Sequence, residues 1–414
     1  MARRGTGEGS IYPATRDARG RPTSWRAAVV VGWVDGKPQR KYLRGATRGE
    51  VATKLAAATQ ARDDGVLRPG STPTVAEWLH HWLDVVAADR LRESTRAGYE
   101  GHLRRYLVPL LGRHRLDKLR PEHIDRAWAE LAGRGLAPAT VRQSHRILSR
   151  ALTIAVRRGH LARNPCQLID GPAVSRAEVP ALTPAQARSL VTAAAEDRLA
   201  SRWTVAVALG LRQGEALGLA WDEVDLDAGT IRVRRAIQRQ QVRHGCGRAG
   251  QGWACGKRRG ADCPQRHGGG LVVVEPKSAR SHRTVAMPVE LVAQLRARRT
   301  AQLQERLVAG SRWRGGELGD LVWTQPDGAP IDHRADWQAW RDLCDRAGVP
   351  RLRVHDARHT AATLMLVQGI PARVVMGVLG HSTIQLTLDT YSHVVPELAE
   401  QAAAAMSTAL WGPS

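Results

Sequence analysis

Two short breaks rich in turn-forming residues decide what this 414-residue chain can fold into. Residues 65–72 contain Pro69-Gly70-Ser71, and residues 171–179 open on Gly171-Pro172. Neither can continue a helix or strand, so they read as linkers. They cut the chain into segments of about 1–65, 74–170 and 180–414. The second and third segments each open on a capping box, Thr74-Val75-Ala76-Glu77 and Thr183-Pro184-Ala185-Gln186. In that motif the threonine hydroxyl and the residue three further on satisfy amides that a helix start leaves open. The expected fold class is therefore multidomain. It combines a small N-terminal β-sheet plus helix, an all-α module, and a mainly α, α+β domain with a small antiparallel sheet.

Within residues 1–65, Ser10-Ile11-Tyr12, the run Trp25 to Trp33 and the run Arg40 to Arg44 read as three strands. Asp35-Gly36 supplies a hairpin turn between the last two, because glycine tolerates positive φ. Thr47-Arg48-Gly49-Glu50 then caps a helix running to about Asp63. Residues 1–70 hold 14 Lys/Arg against 6 Asp/Glu. A three-stranded sheet with that surplus can lay a face in a DNA groove.

Residues 74–170 are helical throughout. Trp78, Leu79, Trp82, Leu83 and Val86 repeat at helical spacing, and further helices are expected over about 94–108, 121–132 and 138–158. Basic residues (Arg104, Arg105, Arg113, His114, Arg115, Lys118) interleave with apolar ones, which suits a clamp on duplex DNA. From 180 onward the pattern is again mostly helical. Strand-like pieces stand at Thr230 to Arg234, Leu271 to Val274 and Arg283-Thr284-Val285.

Net charge is +23 and the pI is about 11.1, a balance that favours a polyanionic partner such as nucleic acid. Phenylalanine is absent while tryptophan numbers 13, so Trp and Leu must fill the cores. No run approaches the ~20 apolar residues of a membrane helix. The start, Met1-Ala2-Arg3-Arg4-Gly5, lacks the apolar run of a signal peptide. A cytoplasmic location without a membrane partner is expected, and with it reduced cysteines. Cys166 and Cys344 sit in helix-like segments and read as core residues.

One constellation in the last segment carries chemistry. Arg212 stands in a Gly-bracketed turn, Ala208 to Leu217, that leads into an apolar helix with Glu215 three residues on. Glu275-Pro276-Lys277-Ser278 follows the valine-rich strand. His355 and Arg358 are three apart and share a face if helical. His381 follows Gly380, and Tyr391 comes ten residues later. Each alone is commonplace; the joint order Arg, Lys, HxxR, GH, Tyr is not.

These stretches resemble the catalytic domain of tyrosine recombinases, the phage-integrase family. GLRQGEALGL, PKS with the following RTV, HDARHTAATLM and LGHSTIQLTLDTYSHV carry the likeness. It covers about 180–395 specifically. It extends less specifically to 74–170, which looks like a core-binding domain, and to 1–65, which looks like an arm-type DNA-binding domain.

The resemblance implies strand exchange without ATP or metal, and with no cofactor for catalysis. Tyr391 would attack a phosphorus and hold a 3′-phosphotyrosyl intermediate, releasing a 5′-hydroxyl. Arg212 and Arg358 would absorb the charge that grows on the non-bridging oxygens. His355 and His381 would donate hydrogen bonds or handle the tyrosine proton. Lys277 would protonate the leaving oxygen, and Glu215 would orient a guanidinium. The implied partners are double-stranded DNA attachment sites and a homotetramer on DNA, with an excisionase or a DNA-bending host factor as accessories. Residues 395–411 read as an apolar helix that caps its own domain or, as the resemblance implies, docks on a neighbouring protomer. The rival readings are a resolvase or topoisomerase using the same chemistry, and a DNA-binding regulator without catalysis, which would need no tyrosine nucleophile.

An insertion at about 240–270 departs from the minimal family pattern. It carries His244, Cys246, Cys255, Cys263 and His267 in a Gly-rich context poor in apolar residues. Three thiolates and an imidazole can form a tetrahedral zinc site, and Cys246, Cys255, Cys263 and His267 are the expected ligands of a structural zinc.

Overall fold

The computed structural model describes residues 10–34, 37–63, 72–174, 181–249, 252–276, 281–380, 403 and 406–412. The turn expected at Asp35-Gly36, most of both linkers, Lys277, His381, Tyr391 and much of the 395–411 helix lie outside the described residues. The chain divides into two compact units, one of residues 1–175 with 248–254 and one of residues 176–247 with 255–414.

The first unit opens with an antiparallel sheet, β1 (Ser10–Arg16), β2 (Pro22–Val34) and β3 (Lys37–Gly45), with β2 in the centre. Strand side chains alternate between faces, so Ala27 and Val29 point together and are buried with Val51, Leu55 and Ala58 of α1 (Arg48–Asp63). The Thr47 hydroxyl accepts from the Glu50 amide at 3.1 Å, as expected of the cap. The return bond goes one residue earlier, from the Ala46 amide to Glu50 at 2.9 Å. On β3, Lys37, Arg40, Lys41 and Arg44 are exposed.

The helical part follows with α2 (Val75–His81), α3 (Glu93–His102), α4 (Val108–Leu111), α5 (Pro121–Gly133) and α6 (Pro138–Arg157). The Thr74–Glu77 box is complete, and it starts a helix whose Trp78 and Leu79 are buried; Trp82 and Leu83 continue that stripe one turn on. The stretch expected as one helix over 94–108 begins at Glu93 and widens into a π-turn at Leu103–Leu107 before α4. Pro109 explains the break: it has no amide to give and its ring crowds the carbonyl four residues back.

The second unit holds α7 (Pro184–Ala193), α8 (Ala200–Ala208), α9 (Gln213–Leu217), β4 (Val224–Asp225), β5 (Thr230–Val233) and β6 (Ala236–Gln240). A two-stranded turn, β7 (Arg248–Ala249) with β8 (Gly252–Trp253), comes next and is grouped with the first unit. Then come β9 (Gly270–Val274), β10 (Arg283–Ala286), α10 (Val289–Ala309), α11 (His333–Arg346), α12 (Val354–Val367) and α13 (Ala372–Leu379). The sheet order is β10-β5-β4, antiparallel, with Val285 opposite Ile231 and both buried. The valine-rich strand β9 pairs elsewhere, with β6. β6 escaped the sequence reading because Ile237 is its sole buried side chain.

With no phenylalanine, indoles occupy the cores. Trp78, Trp82, Trp323 and Trp340 are among the largest fully buried side chains. A buried indole N–H needs an acceptor. Trp78 donates to the Ala151 carbonyl, Trp323 to the Ser201 hydroxyl and Trp340 to the Leu352 carbonyl, at 3.0, 3.0 and 2.8 Å. Cys166 and Cys344 are buried, as expected of core thiols. Among the described residues no helix is long and apolar enough to cross a membrane.

Candidate active site

The site is built around the turn between α8 and α9. Gly210 takes φ +59, a conformation that favours glycine. It is also wedged: a Cβ there would stand 2.6 Å from Leu379 Cδ2 and 3.1 Å from Ala361 Cβ. α12 and α13 can approach the turn only because residue 210 has no side chain. Arg358, buried on α12, donates from Nη1 to the Gly210 carbonyl at 2.8 Å. One buried guanidinium thus holds the turn that presents another.

Arg212 caps α9 in extended conformation, φ −62 and ψ 146. Its amide donates to Glu215 Oε2 at 3.1 Å, and its Nη1 donates to Glu215 Oε1 at 2.6 Å. Glu215 also accepts from Arg283 Nη2 at 2.9 Å. The carboxylate is 4% exposed, Arg283 is 7% exposed, and Arg212 keeps 38%. Burial alone would raise the Glu215 carboxyl pKa; the charge and hydrogen bond of Arg283, then those of Arg212, outweigh it and hold the pKa below its ordinary value. Glu215 is therefore ionised at neutral pH, and it fixes one edge of Arg212.

Both arginines also grip the C-terminal end of α13. Arg212 Nη2 donates to the Gly380 carbonyl at 3.1 Å, and Arg283 Nε donates to the Val378 carbonyl at 2.6 Å. Helix ends leave carbonyls open and attract cations. Gly380 closes the helix at φ +66, ψ 47. His381, the next residue, lies outside the described residues, as do Lys277 and Tyr391.

His355 and Arg358 share α12, three residues apart as expected. Desolvation and the charge of Arg358, with Arg212 contributing, lower the His355 pKa, so its imidazole is neutral at pH 7. Both guanidiniums thus act on this one ring. His359, one turn on, meets His355 edge to face at 5.3 Å, and burial with the neighbouring His355 takes its pKa down to about 4.

The chain as a whole is similar to known proteins. Residues 267–397 match the phage integrase family, and residues 74–132 match the phage integrase N-terminal SAM-like domain. An integrase of Saccharopolyspora erythraea is 36% identical over 435 residues, covering 96% of this chain and 98% of that one. The chain belongs to the phage integrase family. It is a tyrosine-type site-specific recombinase, an enzyme that breaks and rejoins DNA. The integrase of Mycobacterium phage L5 is 26% identical over 80% of this chain and 78% of its own. Among solved structures, the Tn1549 transposon integrase in complex with transposon right end DNA aligns with a TM-score of 0.61 at 19% identity, over 81% of this chain and 99% of that one. A lambda integrase tetramer bound to a Holliday junction aligns with a TM-score of 0.53 at 14% identity, over 92% and 94%. At these identities the two structures show a shared multidomain fold.

Beneath the recombinase's Arg212 turn lies a buried ion pair that sequence reading missed. Arg202 on α8 pairs with Asp336 on α11 through Nε and Nη2, at 3.1 and 2.9 Å, with both side chains at most 2% exposed. Gln213, next to Arg212, donates to Asp336 Oδ2 and to the His333 carbonyl, each at 2.9 Å. Arg202 was discoverable: it is the one charge in the otherwise uncharged run Leu199 to Leu211.

In the insertion, the donor atoms of His244, Cys246, Cys255 and Cys263 all lie within 4.8 Å of one another. His267, the histidine expected from sequence, is not among them, and the expectation is corrected to His244. The reason is strand alternation. Arg243 and His267 face each other across an antiparallel bridge, so their side chains share one face. His244, one residue on, turns to the other face, towards the cysteines.

Proposed function

We propose that this recombinase cuts DNA with Tyr391. The phenol gives its proton to His355 or His381 as its oxygen attacks a backbone phosphorus, the bond from phosphorus to the 5′-oxygen breaks, and Lys277 gives that oxygen its proton. The phosphate is then held as a 3′-phosphotyrosyl ester. The 5′-hydroxyl of a second strand attacks the same phosphorus and releases the tyrosine. The bond count is unchanged throughout, so the reaction needs no energy source.

Arg212 and Arg358 act on the phosphate oxygens, since a guanidinium keeps its charge and presents paired donors. His355, neutral at pH 7, can donate one hydrogen bond to an oxygen, and His381 serves beside it. Glu215 positions Arg212 rather than touching DNA. The observation that carries this reading is the shared frame of the two arginines: Arg358 is bonded to the Gly210 carbonyl, and Arg212 stands two residues on, pinned by Glu215. Two cations built into one turn and one helix face form a preorganised anion site.

The substrates are double-stranded attachment sites of a mobile element, gripped by the basic N-terminal sheet of residues 1–65 and the helical domain of residues 74–170, with residues 180–414 as the catalytic domain. The working form is a homotetramer on two duplexes, with an excisionase or a bending protein setting direction.

A nicked suicide substrate tests the chemistry, because the released fragment diffuses away and traps the covalent complex. The intact enzyme should accumulate a protein–DNA adduct. Tyr391→Phe should bind the same DNA with unchanged affinity and form none. An adduct in that variant would refute the assignment of Tyr391. An intact enzyme that binds its sites but never forms an adduct would favour a regulator.

A further inference from the structure

The insertion between β6 and β9 holds a defined shape without an apolar core. Across residues 241–269 the one buried side chain among those described is Cys263, at 0% exposed. Its backbone is nonetheless drawn tightly together. A Cβ on Gly245 would fall 2.2 Å from the Gln265 carbonyl oxygen, and one on Gly260 would fall 2.1 Å from the Val242 carbonyl oxygen. Arg243 and His267 exchange two backbone hydrogen bonds, at 2.9 and 3.1 Å. A segment of this size cannot maintain such contacts by hydrophobic burial, and small units in that position rely on a cross-link or a metal.

We propose that His244, Cys246, Cys255 and Cys263 bind one zinc ion, which takes the place of a core in this segment. The four donor atoms already sit within 4.8 Å of one another. A tetrahedral ion with Zn–S about 2.3 Å and Zn–N about 2.0 Å spaces its donors about 3.5–3.8 Å apart, so small adjustments complete the shell. His244 Nδ1 stands 3.3 Å from Cys255 Sγ and is the coordinating nitrogen. Three sulfurs and one imidazole suit zinc in preference to the oxygen-seeking cations. Four protein donors close the shell, which leaves no position for water or substrate and makes the ion structural. A disulfide is the weaker alternative: three cysteines would leave one thiol over, and the histidine beside them would have no purpose.

The full chain, expressed with zinc in the medium and purified under reductant, should contain about one zinc per chain by elemental analysis. Titration with a mercurial should release that zinc as three thiols react. Cobalt exchanged into the chain should give the visible bands of a tetrahedral ion with sulfur charge transfer. His244→Gln and Cys255→Ser should lose the metal on dialysis against a chelator, whereas His267→Gln should keep it. These readings do not involve strand cleavage, so their failure leaves the assignment of Tyr391 untouched. Zinc near zero in the reduced, folded chain overturns the site. So does a pair of thiols that appears only after reduction, or retention of zinc by both His244→Gln and Cys255→Ser.

Discussion

Glu215 and Arg283, 68 residues apart in sequence, form an ion pair at 2.9 Å that is almost wholly removed from water. The same carboxylate holds Arg212 from its other oxygen. Removing it leaves two guanidiniums close together with no counter-charge. Glu215→Ala should therefore cost about 3–5 kcal/mol of stability, the range for breaking one side of a buried pair. Urea unfolding of the folded chain checks this, and an effect under about 1 kcal/mol would contradict the pairing.

Glu215→Gln separates charge from shape. The Glu215 carboxyl is held below its ordinary value of 4.5, so its contribution is present above that pH and disappears as pH falls through the folded value. The acid side of the stability curve, below about pH 4.5, should flatten in Glu215→Gln. Its DNA affinity at neutral pH should change little, while cleavage of the suicide substrate falls because Arg212 is no longer oriented. A variant with an unaltered acid limb would show that the carboxylate's environment is not the one described.

Gly210→Ala should destabilise the fold by about 1–3 kcal/mol, through both the left-handed backbone and the contact with Leu379. The melting temperature should drop by several degrees, and adduct formation should fall further than DNA binding. Gly98→Ala is the control. It lies within α3 with nothing near its added methyl, where alanine favours the helix.

How much of this was legible depends on how far apart the partners lie along the chain. Arg212 with Glu215, and His355 with Arg358, are three-residue relationships, and helix geometry makes them readable from a string of letters. Capping at Thr74 and Thr183 is equally local, and the helices begin where those residues predict. The Arg202–Asp336 pair spans 134 residues and Arg358 reaches Gly210 across 148, so although Arg202 stands out as a lone charge, no local pattern names the partner of either arginine. Choosing His244 over His267 required knowing which residues face each other across a bridge. The strand β6 was hidden because a single isoleucine is all the apolar signal it carries.

The Arg202–Asp336 pair gives a prediction that separates folding from catalysis. Asp336→Ala strands a buried guanidinium and should cost about 3–5 kcal/mol. The double variant Arg202→Met/Asp336→Leu removes both charges and should regain most of that loss. It should not regain full cleavage, because Gln213 loses its anchor beside Arg212. A double variant that is both stable and fully active would show that the pair supports the fold alone.

His359 should make stability fall with acid over a window distinct from that of Glu215. Burial and His355 take its pKa to about 4, against 6.5 for a free imidazole. Between those values the unfolded chain binds a proton that the folded chain does not. Stability must therefore rise with pH from about 4 to about 6.5, and the contribution is complete above the upper value. His359→Gln should flatten that stretch, while Glu215→Gln acts below about pH 4.5. NMR titration of the imidazole resonances reads both rings at once. A His359 resonance that moves near pH 6.5 would mean the ring is solvated, and the edge-to-face packing against His355 would have to be abandoned.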